Sequence, residues 1–146
     1  MGDQIKQADD CIFCKITRGE IPSFKVAETD EAFAFMDINP IAPGHTLVIP
    51  KHHAPNIYET PGFASGPAMA MVSRVAAAVN RAMKPEGINI LQANGPGAKQ
   101  SVFHTHFHII PRRADDGLTM NWEVIPGDMD TIKAVAEKIR AELAKD

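Results

Sequence analysis

The stretch FHTHFHIIPR, Phe103 to Arg112, places three of the chain's six histidines at alternate positions within five residues. Alternation is the period of an extended strand, whose side chains point to opposite faces in turn. SVFHTHFHIIPR, Ser101 to Arg112, therefore reads as one strand, with His104, His106 and His108 on one face and Thr105, Phe107 and Ile109 on the other. The second set is a core face. The first sets imidazoles in a row about 6 to 7 Å apart, and burying them without partners costs about 1 to 3 kcal/mol per unpaired polar group. That face must meet something polar. Neutral imidazole nitrogens are good metal ligands; equally, one ring can attack an electrophile while its neighbour transfers protons.

The residues just before this strand bear on that choice. NGPGAKQS, Asn94 to Ser101, offers glycines, an amide, a hydroxyl and a run of backbone N–H groups, a composition able to wrap an anion. Coupled to the histidines, it favours phosphate as the electrophile. Further out, GINILQA (87–93) reads as a strand, and Met69, Val72, Ala76, Val79 and Met83 recur at helical spacing in a long helix over 66–83. TLVIP, Thr46 to Pro50, is an apolar strand fed by the Pro- and Gly-rich loop NPIAPGHT. SFKVAETD and AFAFMDIN form a hairpin, and CIFCKITRGEIP is a short helical pattern closed by Gly19 and Pro22. Residues 1–10 read as a flexible leader, and Met129 to Ala144 as an amphipathic helix. The expected class is α+β: an antiparallel five-stranded sheet with helices on one side, a long central helix and a C-terminal helix, in a single domain over 11–146.

With 146 residues and 45% hydrophobic content, the chain suits one domain with a real core. A net charge of -3 and scattered Lys and Arg argue against nucleic acid as a partner. No stretch approaches the roughly 20 apolar residues that span a bilayer, and the polar, acidic start does not read as a secretion signal. A cytoplasmic protein without membrane partners is expected. Cys11 and Cys14 stand in a C-x-x-C spacing, which in a reducing compartment suggests metal binding or redox exchange.

His104-Thr105-His106-Phe107-His108-Ile109-Ile110 resembles the signature of the histidine triad (HIT) family, in which three histidines alternate with apolar residues; Thr105 departs from that pattern. CIFCKITRGEIPSFKV, AFAFMDINPIAPGHTLVIPKHH and QSVFHTHFHIIPR also resemble the family's segments, in the family's order. The resemblance implies the HIT fold, a homodimer, and a hydrolase or transferase acting on purine nucleotides. It implies that His106 attacks the α-phosphorus and that water hydrolyses the resulting nucleotidyl-histidine. His108 would hold phosphate oxygens and His104 would support its neighbour's ring. Asp37 would bind the ribose hydroxyls, and Ile12, Phe13, Ile16, Phe35 and Ile38 would sandwich the base. Asn94, Gln100, Ser101 and Val102 complete the nucleotide-binding set. In family branches with C-x-x-C, two cysteines and two histidines hold a structural zinc, here Cys11, Cys14, His53 and His104, with no organic cofactor. A purine nucleoside phosphoramidase is the expected activity. A dinucleoside polyphosphate hydrolase, a nucleotide-sensing adaptor with vestigial activity and a catalytic zinc on the three histidines are the alternatives. Trp122, in LTMNWEVIPGD, reads as a packing residue.

Overall fold

The unbroken apolar run Ala32-Phe33-Ala34-Phe35-Met36 leaves a strand no polar face to turn to water, so both of its sides must be covered. The computed structural model describes residues 4–120 and 123–146, and the chain divides into two compact units, Met1–Asp116 and Gly117–Asp146. The first unit is an α+β domain. Its five strands are β1 (Lys25–Glu28), β2 (Ala32–Met36), β3 (Thr46–Pro50), β4 (Gly87–Leu91) and β5 (Phe107–Arg112). They form one sheet in the order β1-β2-β3-β5-β4, with every neighbouring pair antiparallel.

Helices cover both faces of this sheet, which corrects the expectation of helices on one side. Helix α2 (Gly62–Met83) has 22 residues and is about 33 Å long. Its Ala68, Met71, Val72, Val75 and Val79 pack on Ala32, Ala34, Val48, Phe107 and Ile109. The alternate side chains Phe33, Phe35, Leu47 and Ile49 face the other way and pack on Phe13, Cys14 and Ile16 of the short helix α1 (Ile12–Thr17) and its flank. Helix α2 begins four residues before the expected Gly66, with Pro67 inside it. A proline removes one intrahelical donor, a loss that a helix packed along its length tolerates near its start.

Strand β5 begins at Phe107, not at Ser101. Its register against β3 pairs Thr46 with Ile109, Leu47 with His108 and Val48 with Phe107. Continued upstream, that register would set Pro50, which has no N–H to donate, opposite Thr105. The chain leaves the ladder instead, and the Thr105 amide bonds the Ala54 carbonyl at 2.9 Å.

Residues 4–10, read from the sequence as leader, make several hydrogen bonds to the domain. The Lys6 amide donates to His52 Nδ1 (3.1 Å), the His53 amide to the Lys6 carbonyl (2.6 Å), and the Gln7 side chain to Thr17 and the Lys51 carbonyl.

The second unit contains α3 (Met129–Leu143). Asp128 caps it, accepting from the amide and the hydroxyl of Thr131 at 2.9 and 2.7 Å. Ile132, Val135, Ile139 and Leu143 form its apolar stripe. Trp122 lies outside the described residues. Among those described, no helix is long and apolar enough to cross a membrane.

Gly44 joins the loop before β3 to this framework. It has φ +92°, and a Cβ built there would lie 2.9 Å from Met83 and 3.0 Å from Pro111. Both the backbone conformation and the close approach demand glycine. Gly44→Ala is expected to cost about 1 to 3 kcal/mol, read as a lowered midpoint of chemical denaturation at unchanged slope.

Candidate active site and metal centre

On the α1 side of the sheet, β3, β5 and β4 are only partly roofed, and a cavity of about 720 Å³ opens there, a size suited to a small-molecule ligand. The pairings set Leu47 and Leu91 on either side of His108. The cavity therefore runs across the strands. One end is walled by Ile12, Phe13, Ile16, Phe35 and Ile38, with Asp37 beside them; the middle holds Ser101, Val102, His106 and His108; the far end is Leu91, Ala93, Ala98 and Lys99.

Hydrogen bonds assign the proton on each ring. A carbonyl oxygen can only accept, so His106 Nδ1–H donates to the His104 carbonyl at 2.7 Å. The neutral His106 ring then carries its lone pair on Nε2. The Ile41 amide donates to His45 Nδ1 at 3.0 Å, which leaves the proton of His45 on Nε2. That N–H meets His108 Nδ1 at 2.9 Å and lies 3.5 Å from an Asp37 carboxylate oxygen. His108 accepts through Nδ1 and so presents an Nε2–H. The rings of His106 and His108 stand 4.9 Å apart, edge to face, and Phe13 meets His106 edge-on at 5.2 Å.

Burial disfavours charge on all three rings. It holds His106 and His45 below the usual imidazole pKa, against the opposing pull of Asp37, and pushes His108 down to about 4, helped by its two histidine neighbours. At neutral pH these are three uncharged rings: one with a free lone pair, one donor, and one that orients the donor.

His104 belongs to a second cluster. It is fully buried, and its Nε2–H donates to the Pro50 carbonyl at 2.7 Å. The lone pair on its Nδ1 thus faces Cys11 Sγ (3.4 Å), Cys14 Sγ (3.7 Å) and His53 Nδ1 (3.2 Å). All four donor atoms lie within 4.8 Å of one another, placed to bind a metal. A tetrahedral zinc with ordinary Zn–N and Zn–S lengths sets its donors about 3.3 to 3.8 Å apart, and the three separations from His104 Nδ1 lie close to that edge. Burial pushes the Cys14 thiol up to about 11 and His104 down to about 4. A cation at the centre of four such donors would remove this cost by holding the thiolates and neutral rings. The histidines of the FHTHFHIIPR stretch do not converge on one point: His104 joins this cluster and His108 joins Asp37 and His45.

Most of the residues singled out in the sequence meet at the cavity. Asn94 and Gln100 do not line it, and their side chains brace the loop instead. Asn94 accepts from the Ile57 amide (2.8 Å) and pairs with Gln92. Gln100 binds the Gly95 amide and the carbonyls of Pro55 and Val102. That bracing leaves the Ser101 hydroxyl and the amides of Ser101 and Val102 with no internal partner among the described residues. Asp37 accepts from the Asn39 amide through Oδ1 at 2.8 Å, so Oδ2 is the oxygen turned toward His45. Sequence reading missed His45. Its only signal is a histidine at the end of a Pro- and Gly-rich loop, immediately before an apolar strand.

The family described as HIT domain matches residues 18–115. The chain is 41% identical over 140 residues to adenosine 5'-monophosphoramidase HNT1 of Candida albicans, covering 92% of each protein. Among solved structures, a HIT family protein from Bacillus subtilis superposes with a TM-score of 0.86 at 40% identity, covering 91% of this chain and 96% of that one. A zinc-bound histidine triad family protein from Mycobacterium smegmatis gives 0.71 at 32% identity, covering 93% and 96%. The chain belongs to the histidine triad family.

The depressed imidazoles make stability depend on pH with a definite sign. His108 is neutral in the fold down to about pH 4, whereas the unfolded chain protonates it near 6.5. Between those values the unfolded state binds more protons. The stabilisation is complete above about pH 6.5 and is lost as pH falls toward about 4. Thermal melting of the wild type should drop across that window, and His108→Gln should flatten the slope.

Proposed function

We propose that the protein is a HIT-type hydrolase that cleaves the bond between the α-phosphorus of a purine nucleotide and a nitrogen leaving group. The observation that carries this reading is the bond from His106 Nδ1–H to the His104 carbonyl, which leaves a lone pair on Nε2 of a ring lining the cavity. The name of the Candida relative, a phosphoramidase, supports the choice of bond.

The aromatic and branched walls at the α1 end suit a purine, which stacks on apolar and aromatic groups. Asp37 Oδ2 is available to a ribose hydroxyl, a charge-assisted contact. His106 Nε2 attacks phosphorus; a P–N bond to the ring forms as the bond to the leaving nitrogen breaks, and the amine departs with a proton taken from solvent. Water then attacks phosphorus, the ring leaves, and one proton returns to solvent, so the sum is hydrolysis. Charge that builds on the phosphoryl oxygens meets His108 Nε2–H and the unpartnered Ser101 hydroxyl and amides. His45 acts through His108, keeping its donor proton on the cavity side.

Cys11, Cys14, His53 and His104 would hold a structural zinc. Bound there, the metal supplies a cross-link from α1 to the segment ahead of β5, and no chemistry at the phosphorus. His104 then serves by its ring as ligand and by its carbonyl as the acceptor that fixes His106.

His106→Ala should abolish phosphoramidate turnover while leaving nucleoside monophosphate affinity within a few-fold; turnover that survives would end the nucleophile assignment. Cys14→Ser should lower zinc content from about one per chain toward zero and lower the melting temperature. Elemental analysis of the purified protein decides that point.

A further inference from the structure

Asp37 and Lys99 are the charged residues among those lining the cavity, and the three histidines there are held neutral. Among the described residues Lys99 is thus the cavity's one permanent cation. Its ammonium makes no ion pair or hydrogen bond within the protein among the described residues. It stands at the far end, with Leu91, Ala93 and Ala98, on the opposite side of His108 from the base walls. With the nucleoside at the α1 end and its phosphorus at His106, that far end receives the leaving group.

The backbone holds Lys99 there against a preference. Its φ is +62°, one of two positive values at residues other than glycine among the described residues; the other, Lys84, is the C-cap of α2. Lys99 follows the short turn Pro96–Ala98, its amide bonded to the Pro96 carbonyl at 3.0 Å. The next residue is the buried Gln100, anchored to Gly95, Pro55 and Val102. Glycine would take this conformation without cost. A long cation kept in a left-handed position on the wall of the cavity is a feature whose use lies in the side chain.

We propose that Lys99 is a specificity-determining residue that favours leaving groups consisting of an amine bearing an anionic group, such as the carboxylate of an amino acid linked through its nitrogen. The inference rests on the hydrolase reading above and names the class of substrate for the same site. Leu91, Ala93 and Ala98 provide an apolar floor for the body of the leaving group, and the ammonium offsets the repulsion between its anion and the phosphoryl oxygens. Because Lys99 is exposed to solvent, the effect is modest and sensitive to salt.

The test compares kcat/KM for the adenosine 5'-phosphoramidates of glycine and of glycinamide, which differ in one charge. The ratio of the two, acid over amide, is expected to fall by about two- to fivefold in Lys99→Met and Lys99→Gly relative to wild type at low salt. It should fall further in Lys99→Glu, and the wild-type ratio should shrink as ionic strength rises. Comparing Lys99→Met, which removes the cation and keeps the positive φ strained, with Lys99→Gly, which removes the cation and relieves that strain, separates charge from backbone. A ratio unchanged by all three substitutions, with both substrates still turned over, overturns the role of Lys99 and leaves the hydrolase reading standing. Failure of the wild type to cleave either substrate overturns both.

Discussion

The 2.7 Å hydrogen bond from His106 Nδ1–H to the carbonyl of His104 ties the two centres of this protein together, because one residue serves both. The ring of His104 turns its free nitrogen toward two thiols and His53, while its carbonyl occupies the only N–H of the neighbouring catalytic candidate. Displacing His104 would therefore disturb the cluster of four donors and the tautomer of His106 at once. A proton misplaced onto His106 Nε2 would leave a donor where the proposed chemistry requires a lone pair. A zinc held by Cys11, Cys14, His53 and His104 would then act at a distance, by keeping a carbonyl where it is.

The rest of the site follows the same logic of assigned protons. The Ile41 amide settles His45, and His45 settles His108, so a backbone N–H in a loop determines which nitrogen of a remote ring is a donor. None of these rings is protonated in the neutral range, because burial makes charge costly. An anion entering the cavity would meet N–H dipoles, a hydroxyl and, among the described residues, a single exposed cation. Such preorganised dipoles stabilise developing charge without tying down the product's full charge through ion pairs.

The sheet makes the site possible by being covered unevenly. Helix α2 seals one face along its length, so Phe107 and Ile109 anchor β5 in the core. The six-residue α1 reaches only part of the other face, where it packs on β2 and β3. Over β5 and β4 that face stays open, and the alternation of β5 delivers His106 and His108 into the opening. Gly44, wedged between Met83 and Pro111, brings the loop carrying His45 close enough to reach His108.

The elements and their order were legible in the sequence, since alternation, helical spacing and Pro-Gly punctuation are local properties. So were the apolar walls, Asp37 and the C-x-x-C pair, through motif resemblance. The unbroken run AFAFM already carried the information that both faces are covered, although a count of elements alone suggested one. Tertiary structure alone decided which partner each polar side chain meets. His45 looked like a loop residue until it met a ring 63 positions away, and Asn94 and Gln100 looked like ligands until their side chains were found bonded to Ile57 and Gln92, and to Gly95, Pro55 and Val102. By strand alternation alone the three histidines are equivalent; Pro50, unable to donate, ends the ladder, and His104 stands among the cysteines. Local sequence determines where a side chain can point, through the backbone period it obeys. Which partner occupies each nitrogen or oxygen depends on residues brought together across the sheet, and that assignment separates a candidate metal ligand, a candidate nucleophile and a brace of the same chemical kind.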